Sequence, residues 1–192
     1  MSLSKPSVKR ELIHRRHIEC HGYRREDGLW DIEGHLRDTK TYSFPNHDRG
    51  EVKSGEAVHE MWLRLTVDDN LVIRKAEAVT GNGPFRICNN ANDRFHELEG
   101  VRIKSGWRRK MTQRIGGVNG CTHVRELLGP VATTAFQTIY PIKARESRQA
   151  NSNSGTSPRL LETCHAYARH SAVVKRLLPT HHQPKNESAK DS

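Results

Sequence analysis

Hydrophobic and polar residues alternate along much of the first 80 positions of this chain. The alternation covers four runs, at residues 18–23, 29–37, 61–67 and 71–78. The turn residues Glu26-Asp27-Gly28 join the first pair of runs, and Asp68-Asp69-Asn70 join the second pair. Because a strand with one buried face shows this period of two, each pair predicts a β-hairpin, and the four runs predict an antiparallel meander.

The hydrophobic period changes to that of a helix after residue 100. Trp107, Met111 and Ile115 recur every four positions and predict a short helix that ends at Gly116-Gly117. A longer apolar stripe at helical spacing follows Gly120 and predicts a second helix, whose apolar face is Val124, Leu127, Leu128, Val131, Ala132, Ala135, Phe136 and Ile139. Pro130 lies inside this stripe, so we expect a kink or a break near Gly129.

Strands followed by helices are typical of the α+β class, here an antiparallel β-meander covered by helices on one face. The patterning divides the chain into five predicted segments. They are a flexible leader at 1–14, an α+β core domain at 15–144, a Ser/Asn-rich flexible linker at 145–158, a C-terminal helix packing on the core at 159–179, and a disordered tail at 180–192.

Composition narrows the class of protein. The 192 residues are 34% hydrophobic and 28% charged, with a mean hydropathy of −0.80, which is polar for a globular domain. No apolar run is long enough to cross a membrane, and the first residues lack the apolar core of a secretory signal. Four cysteines without a CxxC pair do not predict a disulfide scaffold. We therefore expect a cytoplasmic protein without membrane association.

Most of the net charge of +10 lies in one part of the chain. Residues 101–150 carry a net charge of +8, and their basic side chains concentrate in residues 101–114. This segment predicts a site for an anionic ligand or an acidic protein partner, although a solvated helix face gives the same pattern. Trp107 is the one aromatic residue in the segment, and base stacking needs several, so nucleic acid is not the expected partner.

The first candidate site is Gly120-Cys121-Thr122-His123, at the start of the longer predicted helix. Unpaired backbone N–H groups and the helix dipole at this position favour a thiolate, which makes Cys121 a candidate nucleophile or metal ligand. His123, two residues later, is its candidate base or fellow ligand. The structural alternative is that Cys121 packs beneath the sheet and Thr122 caps the helix.

Two further segments contain candidate ligands. Cys164 and His165 bind one metal ion together only at a helix end, because neighbouring side chains on a helix diverge. Cys164 reaches Cys121 if the C-terminal helix lies beside the long one, and a small buried hydrophobe is its structural alternative. Cys88 follows the fourth predicted strand. The candidate metals are zinc and iron, the latter also as an iron–sulfur cluster, and the full set of candidate ligands is Cys88, Cys121, His123, Cys164 and His165.

A third candidate site lies on a predicted strand. Alternation places Asp31, Glu33 and His35 on one face of the second run, with about 7 Å between successive side chains. Carboxylates and an imidazole in this arrangement are candidates for general acid and base catalysis or for binding a hard cation. The solvent face of an antiparallel strand has the same composition, and this is the simpler interpretation.

Three motifs, in order along the chain, resemble a bacterial family known as domain of unknown function 2889. They are residues 16–34 with the sequence RHIECHGYRREDGLWDIEG, the Gly-Cys-Thr-His motif at 120–123 followed by Leu127-Leu128, and the Thr-Cys-His-Ala motif at 163–166. The resemblance covers about residues 14–180 and implies no activity. It implies that the family pattern includes Asp27, Asp31, Glu33, Cys121, His123, Cys164 and His165.

Residues 61–81, with the sequence MWLRLTVDDNLVIRKAEAVTG, are similar to the central hairpin of NifU-type iron–sulfur scaffold proteins. This likeness implies a frame of sheet and helices with cysteines gathered at one edge. In that family a Gly-Cys follows the hairpin, and a His-Cys pair opens a later helix. Here Cys88 is displaced from the strand end, and Cys121 precedes His123.

The sequence therefore predicts a metal- or sulfur-handling accessory protein that uses Cys121 and His123. Two other classes remain open. One is an enzyme with Cys121 as nucleophile, His123 or His165 as base, and Asp31 or Glu33 orienting the substrate. The other is a binding module that uses the basic segment at 101–114.

Overall fold

The computed structural model describes residues 3–150 and 160–185 and contains a four-stranded antiparallel sheet. The strands in chain order are β1 (His14–Arg24), β2 (Trp30–Lys40), β3 (Phe44–Asn46), β4 (Gly50–Val52), β5 (Ala57–Val67) and β6 (Ile73–Asn82). The main sheet has the order β1-β2-β5-β6, and β3 pairs with β4 in a small hairpin within the connection from β2 to β5. The predicted α+β class and antiparallel meander are confirmed.

Three α-helices follow the sheet in the described ranges: α1 (Trp107–Ile115), α2 (Thr122–Ala150) and α3 (Ala172–Leu177). The helix predicted from Trp107, Met111 and Ile115 is present as α1, and all three side chains are buried. Two 3₁₀ segments, Arg86–Ala91 and Asp93–Leu98, lie between β6 and α1. None of the described helices combines the length and the apolar content that a membrane crossing needs.

The long helix α2 differs from its prediction at two places. It continues through Pro130, where we expected a kink or a break. Gly129 precedes this proline and has no Cβ to clash with the proline ring, which eases the restriction that a proline places on the residue before it. The helix also includes residues 145–150, where the composition predicts a linker, and the rest of that linker, at 151–158, lies outside the described residues.

One face of the sheet packs against α2. At Gly34 of β2, an added Cβ would lie 2.6 Å from the Val131 side chain. At Gly22 of β1, an added Cβ would lie 2.0 Å from the Thr138 hydroxyl oxygen. Both glycines therefore let α2 come close to the sheet. The core between α2 and the sheet is formed by buried residues such as Ile32, Leu36, Met61, Leu63, Leu127, Leu128 and Val131.

The close approach at Gly34 predicts a measurable packing effect. Gly34→Ala forces its new Cβ against Val131, and overpacking of this kind costs about 1–3 kcal/mol of unfolding free energy. Val131→Ala removes the clashing methyl groups, so we expect the double variant to lose less stability than the sum of the two single variants. Urea denaturation of all four proteins measures this coupling, and strict additivity would contradict the close packing at Gly34.

The described residues from Tyr140 onward belong to a second compact unit. Where the sequence predicts one helix over 159–179, the structure has a 3₁₀ turn at His165–Tyr167 and the six-residue helix α3. Ser171 caps α3, since its hydroxyl oxygen accepts a hydrogen bond from the Val174 N–H at 3.1 Å. This cap favours a helix start at residue 172.

Candidate metal centre

Three polar residues form a row across the sheet at the end where β1 begins. The strand register pairs Arg16 of β1 with Asp38 of β2, and Asp38 with His59 of β5. Arg16, Asp38 and His59 each lie two residues beyond an apolar member of their strand, respectively Ile18, Leu36 and Met61. Because side chains alternate along a strand, the row lies on the face of the sheet that packs against α2.

Asp38 is the buried anion of this row, with 1% of its side chain exposed. Its carboxylate accepts two hydrogen bonds from the Arg16 guanidinium, Nε to Oδ1 at 2.8 Å and Nη2 to Oδ2 at 2.7 Å. His14 Nε2 lies 3.4 Å from Oδ1. Burial favours the protonated acid, but Arg16 and the neighbouring histidines outweigh it and lower the pKa of Asp38. The carboxylate is therefore ionised at neutral pH.

Two imidazoles, those of His59 and His123, lie beside this carboxylate. His59 Nδ1 is 3.1 Å from Asp38 Oδ2, and the His59 ring stacks on the ring of His123 with 3.6 Å between centroids. His123 comes from the first turn of α2. Within the described part of the chain, His59 Nε2 is buried and has no hydrogen-bond partner. A buried nitrogen without a partner is costly, and an ordered water commonly satisfies it.

Both histidines are neutral in this environment. Burial lowers the pKa of His59, and the neighbouring His123 lowers it further, against the opposing effect of Asp38. Burial also lowers the pKa of His123, and the positive charge of Arg16 lowers it further. Arg16 contacts the Glu126 carboxylate as well as Asp38, so the cluster has one more negative than positive charge. Neutral imidazoles beside an excess anion are the protonation state that a metal cation requires.

Asp38, His59 and His123 together meet the spacing of a metal site. One potential ligand atom from each residue lies within 4.8 Å of the other two. This is the one group of three or more such residues found in the described ranges 3–150 and 160–185. The sheet supplies two of the ligands and the start of α2 supplies the third, so the site depends on the packing of helix against sheet.

The lowered pKa values predict a pH-dependent stability for the metal-free protein. The unfolded chain takes up protons on its histidines as the pH falls through about 6.5, whereas the folded cluster resists protonation. The free energy of unfolding is therefore highest above pH 6.5. It falls as the pH drops from about 6.5 to the lowered pKa values of the folded protein, and this contribution levels off below them. Urea denaturation with a chelator between pH 7.5 and pH 5 measures this slope. We expect it to flatten in a His59→Gln/His123→Gln variant, and an unchanged slope would contradict the assignment.

Cys121 and Cys88 line one cavity. It has a volume of about 530 Å³ and lies between the 3₁₀ segment after β6 and the residues that precede α2. Cys121 is the residue immediately before α2, and its carbonyl accepts a hydrogen bond from the Arg125 N–H. Cys121 lines this cavity, and the His123 ring stacks on His59. The pairing of Cys121 with His123 stays a prediction.

Asp31 and Glu33 lie on the face of β2 opposite to α2. Asp31 accepts a hydrogen bond from the Thr66 hydroxyl at 2.6 Å, and Glu33 accepts one from Arg64 Nε at 2.8 Å. Glu33 also lines a cavity of about 420 Å³ with His35, whose ring stacks on Trp62. The two carboxylates of the enzyme hypothesis therefore lie on the face of the sheet opposite to α2, and its nucleophile, Cys121, immediately precedes α2.

The remaining cysteines have separate surroundings. Cys164 and His165 belong to the second unit, where Cys164 is exposed and precedes the turn His165–Tyr167. Cys20 lies near Gly34 on the covered face of the sheet, and burial raises the pKa of its thiol. Cys20 is thus a packing residue with a protonated thiol at neutral pH.

Some basic side chains of segment 101–114 donate hydrogen bonds to backbone carbonyls of the chain, and others are exposed on the surface. Arg102 Nε donates to the Asn70 carbonyl at 2.9 Å, and the Arg114 guanidinium donates to the Glu97 carbonyl. Arg108, Arg109 and Lys110 are exposed on α1, whereas Trp107 is buried. Trp107 is therefore not a surface platform for stacking.

Comparisons with known proteins identify a family. A family model described as "Protein of unknown function (DUF2889)" matches residues 14–137, about two thirds of the chain. The matched range includes every strand and the residues Arg16, Asp38, His59 and His123. No curated protein and no solved structure matches the chain. The similarity to NifU-type scaffolds stays a prediction from the hairpin sequence alone.

Proposed function

The chain belongs to the DUF2889 family, whose function is unknown, and we propose from the geometry of its site that it is a metal-handling accessory protein. In this proposal a divalent transition-metal ion binds to Asp38, His59 and His123. We assign His123 to this centre and leave Cys121, the other member of the predicted pair, outside it.

The convergence of the three ligand atoms within 4.8 Å carries the proposal. Ligand atoms that bind one zinc ion at about 2.0–2.2 Å lie roughly 3.0–3.5 Å from each other. The 3.1 Å between Asp38 Oδ2 and His59 Nδ1 fits this separation, and the His123 ring lies 3.6 Å from the His59 ring, centroid to centroid.

The chemistry of the donors indicates the class of metal. Two imidazoles and one carboxylate suit Zn²⁺ and Fe²⁺, whereas Ca²⁺ and Mg²⁺ prefer oxygen ligands alone. Three protein ligands leave at least one coordination position open for water or a transferred group. Arg16 donates two hydrogen bonds to the Asp38 carboxylate and so fixes its orientation. Hydrogen bonds of this kind commonly orient the ligands of a metal ion.

Titration with Co²⁺, followed by its visible absorption, tests the proposal on untagged protein. We expect saturation at one equivalent per chain, and Zn²⁺ should displace the cobalt. His35→Gln is the matched control, because His35 also has a buried Nε2 without a hydrogen-bond partner in the described residues but stacks on Trp62 on the opposite face. The cobalt spectrum should be lost in the His59→Gln/His123→Gln variant and kept in His35→Gln. Equal loss of the spectrum in both variants would contradict the assignment.

We also propose a cytoplasmic location and an acidic partner for the protein. Cys20, Cys88, Cys121 and Cys164 are free thiols, as is usual in a reducing compartment. Exposed Arg108, Arg109 and Lys110 on α1 support an anionic ligand or acidic protein at the basic segment. Binding that weakens steeply with added salt would support this second interaction, and binding that is independent of salt would oppose it.

A further inference from the structure

The cavity lined by Cys88 and Cys121 is separate from the cluster of Asp38, His59 and His123. Its volume is about 530 Å³, and Arg94 contributes to its lining. Cys88 and Cys121 are half-buried free thiols. Two thiols in one solvent-accessible cavity offer a soft donor set that neither cysteine offers alone.

Two glycines, one near each cysteine, allow close packing of the chain beside this cavity. An added Cβ at Gly83 would lie 3.1 Å from the Cβ of Cys88 and 3.4 Å from its sulfur atom. An added Cβ at Gly120, immediately before Cys121, would lie 2.3 Å from the Ile115 carbonyl oxygen. A side chain at either position would displace its neighbours, so the local packing depends on both glycines.

The number of protein ligands at this cavity indicates which class of metal ion fits it. Among the described residues, the one cluster of three or more His, Cys, Asp or Glu ligands contains neither of these cysteines. Structural Zn²⁺ needs four protein ligands, and the common iron–sulfur clusters need four as well. A monovalent soft ion such as Cu(I) is satisfied by two thiolates, which makes it the better match for this cavity.

We propose that Cys88 and Cys121 together bind one Cu(I) ion in this cavity, independently of the centre at Asp38, His59 and His123. Each thiol releases one proton on binding, and no electron is transferred, so the product is a bis-thiolate complex with one negative charge. The positive end of the 29-residue helix α2 stabilises that charge.

The cavity also allows the ion to exchange without unfolding of the chain. Ile87 and Val118 line it and are strongly exposed, with 72% and 103% relative exposure. An exposed lining lets a donor or acceptor molecule reach the thiols directly. A site of this kind suits temporary holding of the ion better than permanent structural binding.

Anaerobic competition with a coloured Cu(I) chelator, bicinchoninate, tests the proposal on the full chain. We expect one tightly held Cu(I) per chain, and a loss of affinity of about 100-fold or more in Cys88→Ala and in Cys121→Ala. Cys20→Ala and Cys164→Ala are the matched controls and should retain the ion. Unchanged Cu(I) retention in the Cys88→Ala/Cys121→Ala variant would overturn the proposal.

Two further measurements test the thiol site if a cysteine variant does not fold, and separate it from the histidine centre. If either cysteine variant fails to fold, alkylation of the wild-type protein followed by mass spectrometry replaces it. Cu(I) should then protect Cys88 and Cys121 from iodoacetamide and leave Cys164 reactive, while equal labelling with and without Cu(I) would reject the site. The His59→Gln/His123→Gln variant should still hold Cu(I), so failure of the histidine centre and failure of the thiol site are distinguishable.

Discussion

His59→Gln and His123→Gln are each expected to weaken Zn²⁺ binding by about 100-fold or more, and the double variant is expected to abolish it. Loss of an outer hydrogen-bond partner already costs about 10–100-fold in metal affinity, and these substitutions remove a direct ligand. Glutamine keeps much of the volume of the imidazole and removes its ring nitrogens. Isothermal titration with Zn²⁺ at pH 7.5 measures the effect.

The controls for this experiment come from histidines elsewhere in the chain. His35→Gln tests the second half-buried imidazole with an unpartnered Nε2 in the described residues, and it should bind Zn²⁺ as the wild type does. His181→Gln/His182→Gln removes an adventitious histidine pair near the C-terminus. Equal loss of Zn²⁺ in the His181/His182 variant and in the His59/His123 variant would show that the measured binding is adventitious.

Arg16→Met is expected to destabilise the fold by about 3 kcal/mol at pH 7. The substitution keeps an apolar stem and leaves the buried Asp38 carboxylate without its bidentate partner, and breaking a buried pair in this way costs about 3–5 kcal/mol. The nearby His14 and His59 offset part of this loss. Because protonation of Asp38 removes the unpaired charge, the cost should shrink at pH 4. Urea denaturation at pH 7 and pH 4 measures both effects.

Arg64→Met is the matched control for Arg16→Met. Arg64 also donates to a carboxylate across two strands, but its partner Glu33 is 37% exposed, whereas Asp38 is 1% exposed. Exposed pairs contribute up to about 1 kcal/mol, so this variant should stay close to the wild type at both pH values. Similar losses in the two variants would show that the burial of Asp38 does not set its cost.

The hydrophobic pattern predicts the sheet and the first two helices, because one buried face leaves a clear period in the sequence. It fails where a local feature changes the outcome. At Pro130 the pattern predicts a break, but the helix continues, and Gly129 before the proline has no Cβ to clash with its ring. Over 159–179 the apolar spacing predicts one helix, and the described part of this range has a 3₁₀ turn at His165–Tyr167 and the short helix α3, whose start is capped by Ser171.

The candidate site was only partly predictable. Sequence motifs identify His123, since it follows Cys121 at a helix start, but they miss its neighbours Asp38 and His59. A signal for both was present. Asp38 continues the buried face of Trp30, Ile32, Gly34 and Leu36, and His59 continues the face that begins at Met61. A polar residue at the end of a buried face is costly without partners. Only the strand register and the packing of α2 show that these partners meet.

Elemental analysis of untagged protein, produced with zinc and iron in the medium and purified anaerobically, decides whether the chain holds a metal at Asp38, His59 and His123. It is made on the wild type beside the His59→Gln/His123→Gln variant, with circular dichroism to check that both are folded. We expect stoichiometric zinc or iron in the wild type and none in the variant. A metal-free wild type, or the same metal content in both folded proteins, would contradict a metal centre at these three residues.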